Sequence, residues 1–169
     1  MRGAALLISA AAAAPLLIAL GLPTNLFGSA PADREWHAAA ADIRIVDGET
    51  LALGDRVVRL SGIAAPMRGE SCRRPDGEGF DCGGASAAAL MRLVDGRPVN
   101  CRITGRDAFG RGVGQCEANG ADLGRTLVGD GFAVATGSAL RTAEATARRG
   151  ERGLWANRAG LPQEWRGRE

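Results

Sequence analysis

Two turn signals, Asp47-Gly48 and Gly54-Asp55, cut residues 43–60 into three β-prone runs of four residues each, at 43–46, 50–53 and 57–60. Strands this short, joined by turns this tight, pair with their neighbours as an antiparallel meander. A parallel pairing between them would need a crossover of about a dozen residues or more. Ile63 to Pro66 ends the meander, and residues 75–84 form a loop rich in Gly, Pro and Asp.

The rest of the chain adds helices and one more hairpin. Residues 85–94 place Ala88, Leu90, Met91, Leu93 and Val94 at helical spacings, ended by Asp95-Gly96. Residues 98–104 and 111–117 are two strands around Arg106-Asp107-Ala108-Phe109-Gly110. Leu123, Leu127 and Val128 predict a second helix that closes between Gly129 and Gly131. Residues 138–152 predict a third, with Ser138 or Thr142 as N-cap and Gly153 past its end. The order βββ-α-ββ-α-α excludes a doubly wound parallel sheet. It predicts an α+β, mainly β architecture: a five-stranded OB-type barrel with about three packed helices. With 4% aromatic residues and no tyrosine, the core must be built mainly from Val, Leu, Ile and Ala.

The 169 residues suit one domain once a targeting segment is set aside. Residues 3–32 carry no charge, and the small-apolar run at 4–22 follows Arg2 and precedes Pro23. This pattern is either a signal peptide, with Ala30-Pro31-Ala32 as the cleavage site and the alanines at 38–41 as a second option, or an N-terminal membrane anchor. Both place the domain outside the cytosol, periplasmic or secreted, with membrane contact only through residues 1–32. Residues 33–41 are then a linker, and residues 42–167 the domain. The formal charge of +2, from 21 arginines and no lysine against 19 acids, excludes the broad positive field of a dedicated duplex binder. Any phosphate contact has to come from a local arginine cluster. Nothing in the chain indicates an oligomer, and a monomer is expected.

Cys72, Cys82, Cys101 and Cys116 form an even set in a small exported domain, which predicts two disulfides. The spacings lack the close C-x-x-C pairs of a zinc site. If the late hairpin turns between Ala108 and Phe109, paired residue numbers sum to 217 and Cys101 faces Cys116. Directly opposed Cα atoms lie about 4.5 to 5.5 Å apart, within reach of a disulfide. By elimination Cys72 pairs with Cys82.

Several ordered segments carry a resemblance. Val46-Asp47-Gly48-Glu49-Thr50-Leu51, Val58-Arg59-Leu60-Ser61-Gly62-Ile63-Ala64-Ala65-Pro66-Met67, Asp107-Ala108-Phe109-Gly110-Arg111, Gly153-Leu154-Trp155 and residues 162–166 (P-x-x-W-R) occur in order at appropriate spacings. Together they resemble the staphylococcal nuclease (thermonuclease) family, whose patterns are V-D-G-D-T, V-R-L-x-G-I-D-A-P-E, D-x-Y-G-R, G-L-W and P-x-x-W-R. Active members of that family hydrolyse phosphodiester bonds in DNA and RNA with one calcium ion. The chemistry needs oxygen ligands for the ion, a carboxylate that activates water, and positive groups around the phosphorus centre.

By that resemblance Arg59 and Arg111 are the two phosphate-binding arginines, and both are present. The rest of the motif departs from the pattern. Ala64 stands where the family has an aspartate ligand, and Met67 where it has the general-base glutamate. Glu49 replaces the second aspartate ligand and is the one remaining metal candidate; Phe109 replaces a tyrosine and lacks its hydroxyl. Glu70, three residues after Met67, could substitute for the lost base, and Asp47 could approach an ion. Arg59 and Arg111 could instead persist as ion pairs with Glu49 and Asp107, with no ligand. His37, the only histidine, falls in the linker. The resemblance therefore implies a non-hydrolytic protein without a cofactor that binds a phosphate-bearing or nucleic-acid ligand, or a protein partner. The alternative is a weak or altered metal-dependent phosphodiesterase that uses calcium.

Overall fold

Gly54, at a φ of +63° that a side chain disfavours, closes a tight turn of the meander. It joins β3 (Thr50–Leu53) to β4 (Arg56–Leu60), with Leu53 opposite Arg56 and Thr50 opposite Arg59. β2 (Ile43–Ile45) pairs antiparallel with the other edge of β3 and completes the expected meander. The description comes from a computed structural model and covers residues 34–158 other than Pro75. The expected signal peptide or membrane anchor at residues 1–32 and the motif at residues 162–166 lie outside the described residues.

The late hairpin is β8 (Val99–Arg106) and β9 (Gly112–Ala118). β9 also lies parallel to β4, with Val58 opposite Gly112 and Arg59 opposite Val113. A parallel pair is possible here because α1 (Cys82–Val94) and β8 intervene in the chain. β10 (Ala121–Asp122) folds back on the end of β9. The resulting seven-stranded sheet starts at β1 (Glu35–Ala38) and runs β1-β8-β9-β4-β3-β2, with β10 beside β9. Its first edge, β1, is a correction: these residues belong to the sheet and not to a polar linker. Only two of the four, Trp36 and Ala38, face inward, which makes the signal too short to separate from a linker. Edges β1 and β2 are consecutive in the chain, joined through the 3-10 turn Ala40–Asp42. No ladder connects them, so this is an OB-type fold whose sheet stays unclosed, and not a closed five-stranded barrel.

α1 starts three residues earlier than its apolar spacing predicts. The Asp81 carboxylate caps it by accepting the Gly84 N–H at 2.7 Å. Gly83 is glycine for space, since a Cβ there would lie 1.8 Å from the Met67 carbonyl oxygen. Residues 76–84 are also more ordered than their Gly and Asp content predicts, because β6 (Ser71–Arg73) pairs with β7 (Gly79–Asp81). α2 (Leu123–Gly129) is capped by Asp122. α3 (Arg141–Arg149) is shorter than residues 138–152: Ser138–Leu140 is a 3-10 turn, and neither Ser138 nor Thr142 caps the helix. β5 (Ile63–Ala64) pairs with β11 (Val134–Ala135).

The core is aliphatic as expected. Leu51, Val58, Leu60, Ile63, Leu90, Val99, Leu123, Leu127 and Val128 are all buried, each such side chain contributing about 1.5–3 kcal/mol. Both disulfides form as paired from the sequence, Cys72–Cys82 and Cys101–Cys116. Pairs from Val99–Ala118 to Ile103–Gly114 keep the sum of 217, then a bulge at Thr104 shifts the register so that Arg106 faces Gly112. The turn is thus centred on Phe109, one half-step from its expected position, and the cysteines still oppose each other. Two disulfides with no free cysteine suggest a non-cytosolic compartment. Among the described residues no helix is long and apolar enough to cross a membrane.

Candidate functional site

β4 alternates, with Val58 and Leu60 buried in the core and Arg59 pointing to the outer face. Arg111 lies just ahead of β9, two residues before Val113, which sits opposite Arg59. The two-residue period of a strand therefore puts both guanidinium stems on the same face. Their side chains are 26% and 33% exposed.

Arg59 is held from one side. Its Nε donates to Glu49 Oε1 at 2.7 Å, and Glu49 Oε2 accepts the Ala65 N–H at 2.9 Å. Glu49 is placed by the turn before β3: its N–H donates to Asp47 Oδ1 at 2.9 Å, and its carbonyl accepts the Leu60 N–H at 2.8 Å. Gly48 seats that turn against α1, since a Cβ there would lie 2.5 Å from Ser86 Cβ and 2.9 Å from Ala65 Cβ. One carboxylate thus ties together the β2–β3 turn, β4 and the loop after β5.

Arg111 is held in the same way. Its Nε donates to Asp107 Oδ2 at 2.6 Å, while Asp107 Oδ1 accepts the N–H groups of Phe109 and Arg111, each at 3.0 Å. Gly110 supplies the φ of +79° that closes the turn. Partial desolvation pushes the Asp107 carboxyl up. The Arg111 side-chain bond, the two backbone N–H groups and the Arg111 charge together outweigh it, and the group lies below the usual carboxylate range. The Phe109 ring projects from this turn 84% exposed, with Arg111 Cζ 5.4 Å from its centroid.

Both ion pairs considered from the sequence are therefore present, half-buried rather than buried. Each uses a single Nε. Among the described residues the terminal nitrogens of Arg59 and Arg111 have no hydrogen-bond partner. Ala64 is buried on β5 opposite Val134, and Met67 is 47% exposed. Glu70 is turned onto its own loop, where Oε2 accepts the Met67 N–H at 3.1 Å. Asp47 is likewise engaged by the Glu49 N–H. The loop is pinned by Arg68, whose Nε donates to the Val46 carbonyl at 2.7 Å, and by the Cys72–Cys82 bridge to α1. His37 pairs with Asn100 on β1 and β8, with β9 between them and β4. Two features had no signal in the sequence: the Ala65 N–H as a partner of Glu49, and the buried Thr50 Oγ1, which has no hydrogen-bond partner among the described residues.

Residues 57–157 match the family model for the staphylococcal nuclease homologue. That span contains Arg59, Ala64, Met67, Arg111 and both disulfides. The chain is also 33% identical over 117 residues to the succinoglycan biosynthesis protein ExoI of Rhizobium meliloti (strain 1021). The similarity covers 66% of this chain and 61% of that protein, so the chain spans less than two thirds of the relative's length.

Proposed function

The chain belongs to the staphylococcal nuclease family, and on that footing we propose that it is an exported domain that binds a phosphate-bearing ligand at Arg59 and Arg111 without hydrolysing it efficiently. One observation carries this reading. Both guanidiniums are aimed by a carboxylate at Nε, which leaves their terminal N–H forks free to take phosphate oxygens. A pair kept only for structure has no need to present two such forks on one face.

The hydrolytic half of the site lacks its groups. Met67 offers a thioether where water would have to be activated, and loss of a general base by itself costs about 10²- to 10⁴-fold. The donor set does not fit calcium, which takes six to eight oxygens. Ala64 and Met67 bring no side-chain oxygen, and both oxygens of Glu49 are engaged by Arg59 and the Ala65 N–H. Glu70 and Asp47 are each held by a backbone N–H, and among the described residues no three acidic, Cys or His groups gather into a cluster that could hold a metal. No step is assigned to an ion here.

Export by residues 1–32, with a mature start near Asp33, suits the sheet better than cleavage at residues 38–41, which would remove β1 and its buried Trp36. Fluorescence anisotropy with a labelled single-stranded octanucleotide tests the ligand site. Arg59→Ala and Arg111→Ala should each weaken binding by about 10- to 150-fold, the range for a charged hydrogen bond. Binding that is equal in all three proteins would refute the site, and no binding by the unaltered protein would refute the function.

A further inference from the structure

Arg68 is an exposed arginine that makes no ion pair among the described residues. Its guanidinium is engaged all the same. Nε donates to the Val46 carbonyl at 2.7 Å and Nη2 to the Ile45 carbonyl at 3.3 Å, so one edge of the planar fork lies along two successive carbonyls at the end of β2. The next arginines along the chain serve only their own hairpin, since Arg73 bonds the Gly77 carbonyl and Arg74 pairs with Glu78. Arg68 instead reaches back to a different part of the sheet.

Those two carbonyls stand directly before the turn that carries Glu49. Three residues ahead of Arg68, the Ala65 N–H donates to Glu49 Oε2 at 2.9 Å, and Glu49 Oε1 takes Arg59 Nε at 2.7 Å. The β5–β6 loop and the β2–β3 turn are therefore joined at two points, one through the Arg68 side chain and one through the Glu49 carboxylate. Between those points lie only Pro66, which is fully buried and has its φ fixed by the ring, and Met67. So short and stiff a link carries a displacement at one end to the other. The far part of the loop is held separately, by the Cys72–Cys82 bridge and by the Gly83 N–H, which donates to the Glu70 carbonyl at 3.1 Å.

We infer that Arg68 is a positioning residue: by stapling the loop to the end of β2 it keeps the Ala65 N–H on Glu49, and so keeps that carboxylate turned to aim Arg59. It does not touch the ligand. This rests on the phosphate-binding reading of Arg59. The role needs an arginine, because a lysine ammonium is a single point charge and does not lie along two carbonyls at once.

Two variants separate this role from a contribution of charge. Arg68→Ala removes charge and staple together, while Arg68→Lys keeps the charge and loses the fit to both carbonyls. Amide hydrogen exchange followed by NMR should show the Ala65 N–H exchanging faster in both variants, with the Arg111 N–H, held by Asp107, unchanged. The labelled octanucleotide should bind both variants roughly 2- to 12-fold more weakly, the worth of one hydrogen bond. Arg68→Ala should cost the same factor in an Arg111→Ala background and nothing further in an Arg59→Ala background. Full affinity in Arg68→Lys beside a loss in Arg68→Ala would show that the charge acts, and would overturn the staple. A further loss in the Arg59→Ala background would put Arg68 on the ligand and overturn it too. So would Ala65 exchange that is unchanged in both variants. Each of these results, with binding by the unaltered protein intact, removes the role of Arg68 alone; absence of that binding would overturn the phosphate reading and the positioning role together.

Discussion

Replacing Cys101 and Cys116 together by alanine should cost the domain about 4 kcal/mol, from two separable sources. The bridge closes a span of 15 residues, and in the chain-entropy picture a loop of that length restrains the unfolded state by about 3 kcal/mol. The sulfurs also fill space, because Cys101 is 0% and Cys116 2% exposed. Removing them leaves a void worth roughly 1 kcal/mol at about 24 cal/mol per Å³. Alanine is the right substitute, since serine would bury two unpartnered hydroxyls. Urea unfolding followed by tryptophan fluorescence, to which Trp36 directly opposite Cys101 contributes, reads the loss. With a slope of about 1–3 kcal/mol per molar urea, the midpoint should fall by roughly 1.3–4 M. The fold should remain, because the β8–β9 ladder runs the full length of the hairpin. The Asp107 turn lies beyond the Thr104 bulge, so the folded variant should still bind phosphate. A midpoint shift below about 0.5 M would show that the unfolded chain is no freer without the bridge, and the reasoning would fail.

Three further outcomes are expected. Gly83→Ala should destabilise by about 1–3 kcal/mol or more, because its Cβ would meet the Met67 carbonyl oxygen at 1.8 Å and α1 would have to move off the loop; an unchanged thermal midpoint would contradict that packing. The Asp107 carboxyl lies below its ordinary 3.8, so its contribution to stability is fully present above that value and is lost as pH falls through the depressed one. Asp107→Asn should therefore flatten the acid side of the stability profile relative to the unaltered protein, and parallel profiles below pH 3.8 would show that the carboxylate is unpaired in solution. The triple change Ala64→Asp, Met67→Glu and Glu49→Asp puts a carboxylate at a buried position of β5, so the thermal midpoint should fall without calcium, recover when calcium is added, and be accompanied by measurable calcium-dependent cleavage. A variant indifferent to calcium in both readouts would refute the assignment of these three positions.

The meander, the late hairpin and both disulfides were legible because each rests on local chemistry: turn residues, a two-residue period, and the arithmetic of opposed positions. The turn centre was half a step off, since a bulge at Thr104 leaves no trace in composition. β1 escaped because a four-residue strand beside an alanine-rich stretch has only Trp36 to mark it, and its pairing with β8 is remote in sequence. The early start of α1 was masked by Gly83 and Gly84, which read as loop residues but serve close packing against Met67 and Asp81. The motif put Arg59 and Arg111 forward as candidates; Asp107 is close to Arg111 along the chain, whereas Glu49 lies ten residues before Arg59 and is brought to it by the β3–β4 pairing. What could not be read was that each carboxylate takes only Nε, or that Glu49 reaches across to the Ala65 N–H. Those facts depend on side-chain direction, which spacing does not encode.

Whether a domain with Ala64 and Met67 at these two positions still cleaves decides the proposed function. The most direct measurement is the yield of cleaved single-stranded DNA from oxidised, processed protein, with calcium and with chelator in parallel. The expected result is intact substrate in both lanes while anisotropy under the same conditions reports Arg59-dependent binding. Robust cleavage that vanishes with chelator and with Arg59→Ala would contradict the account, and would mean that oxygens other than those of positions 64 and 67 complete the site.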